Sequence, residues 1–305
     1  MSNLNNLYGN NEAWQLLVNG FLSNKLAHAY LLTGPSGIGK FSMVKEYIKY
    51  LLQANEVLIK RIDEGNFPDL LYISKQEKND ITIDMIRKAN EFFSQTPLEV
   101  KYKFVIIDNA EDLNRNAANA LLKILEEPTK NTHIFLISHA PSRLLPTIRS
   151  RCRIIKFHPL KERELEQVVG GNKFVGLENF IAGSPGRAII CNELSVDKLY
   201  KQLIELIKSD DLIVFNKFAD SIIKQPQQWQ LLLELIIYLL LNCIKLVTNS
   251  SDQEEQNSLT EIAKTKSSEA WFNLYDQFLL SLNQTEIYNL DKKQLLLFTL
   301  YNIRN

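Results

Sequence analysis

Residues 34–40, Gly34-Pro35-Ser36-Gly37-Ile38-Gly39-Lys40, have the spacing G-x-x-x-x-G-K. They follow a short apolar run, Ala29 to Thr33, and precede a helical pattern, the context in which such a loop holds phosphate. Glycines let backbone N–H groups converge on an anion, and the helix N-terminus adds partial positive charge. Lys40 is placed to reach β and γ phosphates. For the loop alone, the other reading is a glycine-rich turn without a ligand. The next position opposes hydrolysis. A hydroxyl is needed there to hold Mg²⁺, and the residue is Phe41. Ser42 is a poor substitute, because one step along a helix turns the side chain by ~100°.

A nucleotide site also needs an apolar strand ending in acid. Phe104-Val105-Ile106-Ile107-Asp108 supplies it, and Asp108 is the candidate Mg²⁺ holder. A hydrolytic site usually continues with Glu to orient water, but here Asn109 follows. An amide takes up no proton at neutral pH. Glu111 lies two residues further on, past the strand end. Phe41 and Asn109 damage metal binding and water activation separately, so no intrinsic ATPase is expected. A third cluster is basic: Ser150-Arg151-Cys152, with Arg149 and Arg153 beside it. Taken alone, these arginines read as solvated charges.

The elements that must carry these residues are legible as pattern. Candidate strands run Ala29–Thr33, Leu70–Ser74, Phe104–Asp108, Ile134–Ser138 and Arg153–Phe157. Their near-continuous apolar character suits a parallel sheet covered on both faces. Between them lie helical stretches. The clearest is 116–127, where Ala117, Ala120, Leu121, Ile124 and Leu125 share a face and Pro128 ends the run. Strands alternating with helices predict a doubly wound α/β domain. Beyond Pro159 the pattern is helical. We expect three domains: an α/β P-loop domain over 1–159, a small helical lid over 160–194, and an all-α domain over 195–305. In the last, 249–257 reads as a loop, and Trp229 and Trp271 as core residues.

Composition sets the remaining bounds. The 305 residues carry 35 basic and 35 acidic side chains, so no global field draws the chain to nucleic acid. Eleven Gly and nine Pro are few against the usual ~12% of residues, which disfavours a loop-rich all-β fold. Cys152, Cys191 and Cys243 are far apart and odd in number, as expected of a reducing compartment. No basic and apolar leader is visible at the N-terminus. Trp229–Val247 is the one stretch apolar enough to suggest a membrane. Gln230, Glu234, Asn242 and Lys245 form a polar stripe along it, so it reads as a buried bundle helix.

The motifs together resemble the AAA+ clamp loader subunits of bacterial DNA polymerase III. Ser150-Arg151-Cys152 is similar to the family's Ser-Arg-Cys motif. Residues 119–128, Asn-Ala-Leu-Leu-Lys-Ile-Leu-Glu-Glu-Pro, resemble its helix signature. Phe67-Pro68-Asp69, Ile83-Asp84-Met85-Ile86-Arg87 and Gly183-Ser184-Pro185-Gly186-Arg187 also fit. The resemblance spans 27–187 and implies a RecA-like AAA+ domain, a lid and a helical oligomerisation collar. It implies that Arg151 reaches in trans into a neighbour's ATP site. It also implies gamma/tau and delta subunits, the sliding clamp and primer-template DNA as partners, in the bacterial cytoplasm. Relatives often carry a four-cysteine zinc module between the first helix and second strand. Residues 50–67 contain no Cys, so no metal is expected. No cofactor is required on this reading, although residual ATP or phosphate binding stays open. So does the role of Arg187.

Other candidates have plainer readings: His28 as a structural hydrogen bonder, His133, His139 and His158 without ligand spacing, and Ser138 as a vestigial phosphate sensor. Arg87, Lys88 and Arg115 read as solvated surface. Two alternatives remain: an active gamma/tau-type ATPase using Ser42 and Glu111, and a P-loop kinase of a small metabolite.

Overall fold

A computed structural model describes residues 9–304 apart from 24, 76–79, 172–173, 175, 210 and 249–256. The chain forms two compact units. One takes the sequence up to Gly171 together with Gly183–Ala188. The other takes 172–182 and everything from Ile189 onward. The 160–194 segment, expected as a separate lid, is divided between them. Its helices are only four to nine residues long, too little to enclose a core of their own.

The elements of the first unit begin with α1 (Asn11–Leu22), β1 (Ala29–Thr33), α2 (Lys40–Leu51), α3 (Glu56–Glu64) and β2 (Leu70–Ile73). They continue with α4 (Ile83–Ser94), β3 (Lys103–Ile107), α5 (Arg115–Glu126), β4 (Thr132–Ser138), α6 (Pro146–Arg151), β5 (Arg153–Lys156) and α7 (Glu162–Val168). All strand pairs are parallel, in the order β2-β3-β4-β1-β5.

Successive strand residues point to opposite faces, and both faces are covered. Leu31, Val105, Ile107, Ile134 and Leu136 join the side chains of α4 and α5. Tyr30, Leu32, Phe104, Ile106, Phe135 and Ile137 join those of α1 and α2. This is why the strands carry no polar alternation. Ala117, Leu121, Ile124 and Leu125 of α5 are buried as the spacing required. The helix starts where the Asn114 side chain accepts the Ala117 N–H at 2.9 Å.

The helices that follow are α8 (Glu178–Ile181), α9 (Pro185–Glu193), α10 (Val196–Lys208), α11 (Leu212–Ile223), α12 (Pro226–Thr248), α13 (Asn257–Ala263), α14 (Ser268–Tyr288) and α15 (Lys292–Arg304). Except for the start of α9, they belong to the second unit. The expected loop at 249–257 lies outside the described residues up to 256. By length and composition alone α12 could cross a membrane. It buries Trp229, Leu232, Leu235, Ile236, Leu239, Leu240 and Cys243 within the unit, and Gln230 and Lys245 of the polar stripe are exposed. Trp271 is fully buried, its indole N–H donating to the Ala263 carbonyl at 2.9 Å.

Candidate functional site

Residues that follow β1, β3 and β4 meet at the C-terminal edge of the sheet, where α/β folds place ligands. The loop after β1 has Gly34, Gly37 and Gly39 at positive φ. Gly34 is also demanded by close approach, because a Cβ there would lie 2.6 Å from the Phe157 carbonyl oxygen. The loop tip is pinned from its other side. Gly186 N–H donates to the Gly37 carbonyl at 2.8 Å, and a Cβ on Gly37 would meet the Ser184 hydroxyl at 2.5 Å. Ile38 is buried, and Pro35 and Ser36 are exposed.

Lys40 is buried, and its ammonium turns back on its own loop. It donates to the Gly34 and Pro35 carbonyls, each at 2.6 Å, and lies 2.7 Å from His139 Nδ1. An ammonium has three donors, so these partners use all of them. A charged Lys40 requires His139 to accept, with its proton on Nε2. Burial draws the Lys40 amine down to about 8, although Asp108 and Glu111 oppose the shift. Stability follows from the same displacement. Between 8 and the ordinary 10.5, the unfolded chain holds more protons than the folded one, so this group makes stability rise with pH. The thermal midpoint of Lys40→Met should exceed that of wild type below pH 8, and the gap should narrow towards 10.5. A gap that widens with pH would show that Lys40 is not held by burial.

The metal corner is filled. The Phe41 ring packs on Tyr72 of β2, with centroids 5.2 Å apart. The Tyr72 hydroxyl donates to Asp108 Oδ2 at 3.1 Å. The other carboxylate oxygen of Asp108 accepts the Asn109 N–H at 3.1 Å. Thus the expected metal-binding acid is already bonded, and an aromatic pair stands where a hydroxyl ligand is required. The residues do not fit a Mg²⁺–nucleotide complex.

The position after Asp108 carries no acid. Asn109 sits in the left-handed region at φ 58, where Asn is tolerated better than most residues. Glu111 Oε1 accepts the backbone N–H groups of His139 and Ala140 at 2.8 and 3.1 Å. Burial pushes this carboxyl up, but its backbone partners outweigh burial and hold it below the usual carboxylate range. A carboxylate held so acidic is a weak base. Ser138 Oγ, Asn109 Oδ1 and Glu111 Oε2 are buried with no hydrogen-bond partner in the protein.

Arg151 is the last residue of α6. One guanidinium nitrogen donates to the Thr147 carbonyl at 3.0 Å and another meets Glu126 Oε1 at 2.6 Å. Ser150 Oγ also bonds to the Thr147 carbonyl. Cys152 packs against the α4–α5 core, and burial pushes its thiol up to about 12. It is a packing group, not a reactive thiol. Arg187 is half-buried, its backbone N–H donating to Ser184 Oγ at 3.2 Å.

The structure therefore gathers Gly34–Lys40 and Asp108 into one site with Ser138. It adds Tyr72 and His139, to which the sequence assigned no role here, and separately pairs Arg151 with Glu126. His139 has no ligand spacing in the sequence, and nothing local showed that its ring, one residue past the β4 end, turns towards Lys40. His133, by contrast, is a buried structural residue bonded to the Ala27 carbonyl at 2.9 Å. Among the described residues, no cluster of three or more His, Cys, Asp or Glu could hold a metal.

Over 160 residues the chain is 39% identical to DNA polymerase III subunit delta-prime of Bacillus subtilis, covering 50% of this chain and 48% of that protein. Over 136 residues it is 43% identical to the subunit of the same name from Pseudomonas aeruginosa, covering 41% and 42%. The chain spans about half the length or less of these curated relatives. A solved gamma-subunit-related protein of DNA polymerase III from Thermotoga maritima shares the fold with a TM-score of 0.53 at 20% identity, over 94% of this chain and 98% of that one. The family model described as DNA polymerase III, delta subunit, matches residues 9–161. That stretch is half of the sequence and contains the phosphate loop, Asp108 and Ser150–Cys152, so the chain belongs to the DNA polymerase III delta subunit family.

Proposed function

We propose that this chain is a delta-prime-like, non-hydrolysing subunit of a bacterial clamp loader. In this role it helps load the sliding clamp onto primer-template DNA in the cytoplasm. It assembles with gamma/tau and delta subunits and lends Arg151 to the ATP site of a neighbouring gamma/tau subunit. The relatives' names support the assembly. The observation that carries the division of labour is the Tyr72–Asp108 hydrogen bond beneath the Phe41 ring. A chain whose own metal corner is filled gains nothing in cis from Arg151. A guanidinium fork fits a γ-phosphate bidentately, and a trans arginine of this kind accelerates phosphoryl transfer by ~10³–10⁵.

The partners that hold Arg151 favour this use. Arg151 and Glu126 are 35% and 49% exposed, and pairs so exposed contribute roughly 0–1 kcal/mol. The guanidinium donors that Thr147 and Glu126 do not use stay available to a γ-phosphate at an interface. In the second unit, α14 and α15 expose Phe272, Leu280, Ile287, Tyr288, Phe298 and Tyr301. Such an apolar surface suits burial against other subunits. No cofactor is required, zinc has no ligands in 50–67, and Gly34–Lys40 retains at most phosphate or metal-free nucleotide.

The test is turnover. The isolated chain should hydrolyse no Mg-ATP, and adding it to gamma/tau and delta subunits with clamp and primed DNA should raise their ATP turnover. Brisk turnover by the isolated chain would overturn the proposal and favour an active gamma/tau-type enzyme.

A further inference from the structure

Arg151 is not a free surface arginine. Its fork is held at two points of its own unit, by the Thr147 carbonyl one turn back in α6 and by the carboxylate of Glu126. Glu126 ends α5 and Arg151 ends α6, and the two helices pack together. Leu121 and Leu125 of α5 share one core with Ile148 of α6. Both anchors of the guanidinium are therefore fixed to the same packed body. A guanidinium has five N–H donors. Two contacts leave donors unspent, and the side chain keeps a third of its surface exposed.

We propose that Glu126 is a positioning residue: it brackets Arg151 so that the remaining donors are presented to a γ-phosphate in one orientation. This rests on the trans role argued above and names the group that sets its geometry. The chemistry is entropic. An unbracketed arginine must give up many rotamers when it docks, and a bracketed one has already done so.

The experiment uses the full chain reconstituted with gamma/tau and delta subunits, clamp and primed DNA, with ATP turnover followed against ATP concentration. Glu126→Ala should lower kcat about three- to tenfold, the scale of freeing one long side chain, with KM for ATP unchanged. Glu126→Gln should restore most of kcat, because its amide oxygen accepts the same hydrogen bond. In an Arg151→Ala background, Glu126→Ala should have no further effect. If Arg151→Ala lowers kcat but Glu126→Ala leaves it unchanged or raises it, the bracket is wrong. A Glu126→Ala loss that persists without Arg151 also overturns it. If Arg151→Ala itself changes nothing, the trans role fails and the bracket falls with it, a pattern distinct from the first two. Glu126 is half exposed, so an unchanged thermal midpoint of the isolated variant should accompany the kinetic loss.

Discussion

Arg151→Ala is expected to abolish most of the ATP turnover that the chain confers on its neighbour. At the site it serves, the loss should be about 10³-fold, the lower end of what a trans arginine contributes to phosphoryl transfer. Sites served by other subunits would keep the total from falling as far. The loss should lie in kcat, because the guanidinium meets charge that develops in the transition state. Arg151→Lys should not rescue it: an ammonium is a point charge without the planar fork. Folding should be untouched, since the pair with Glu126 is half exposed and worth at most about 1 kcal/mol. Single-turnover hydrolysis by the reconstituted assembly measures the effect. Equal rates for wild type and variant would refute the trans role.

The proposed division between an idle pocket and a donated arginine has one physical logic. In an active site, Lys40 and Asp108 would each meet a ligand. Here Lys40 spends its donors on the Gly34 and Pro35 carbonyls and His139, and Asp108 accepts from Tyr72. Glu111 accepts two backbone N–H groups. The ammonium of Lys40 and the carboxylates of Asp108 and Glu111, which would be costly to bury unpaired, each have partners inside the protein. No single substitution repairs such a site: a hydroxyl at position 41 still faces an acid bonded to Tyr72 and a strand end without a base.

Local pattern made much of this visible. The five strands and α5 fall within two residues of their expected ends, because near-continuous apolar runs are what a doubly covered parallel sheet requires. Phe41 and Asn109 were legible as departures, since the first replaces a hydroxyl and the second an acid in the motif's pattern. What stayed hidden is long-range. Tyr72 lies 36 residues from Asp108, and His139 lies 99 from Lys40. No periodicity within either segment encodes those meetings; they follow from strand order. Residues 160–194, expected as one lid, fall in both compact units. Helical propensity marks short helices, but it does not say which body buries them.

Asp69 shows the same limit at its most costly. It stood out in the sequence only within Phe67-Pro68-Asp69. It is fully buried, and its carboxylate accepts the N–H groups of Leu98, Glu99 and Val100 at 2.8, 2.8 and 3.2 Å. Its own carbonyl accepts from Phe104 N–H at 2.9 Å. One residue thus fastens the edge strand β2 to the segment that leads into β3. Asp69→Ala strands three amides that folding had paired with a charge. Hydrogen bonds to charged groups contribute ~1.5–3 kcal/mol each. Water can reach part of this segment beside exposed Leu98, so the net loss should be about 3 kcal/mol, at the high end for a point substitution. For a unit of this size that lowers the thermal midpoint by roughly 6–12 °C. Asp69→Asn should cost nearly as much, because its NH₂ group faces N–H donors where a carboxylate oxygen had been. The same fastening holds Tyr72 over Asp108, so loosening β2 should raise Tyr72 fluctuation before global unfolding. Calorimetry of the full chain decides it: a midpoint within 2 °C of wild type would mean that the three amides find water without penalty, against the ~3 kcal/mol expected here.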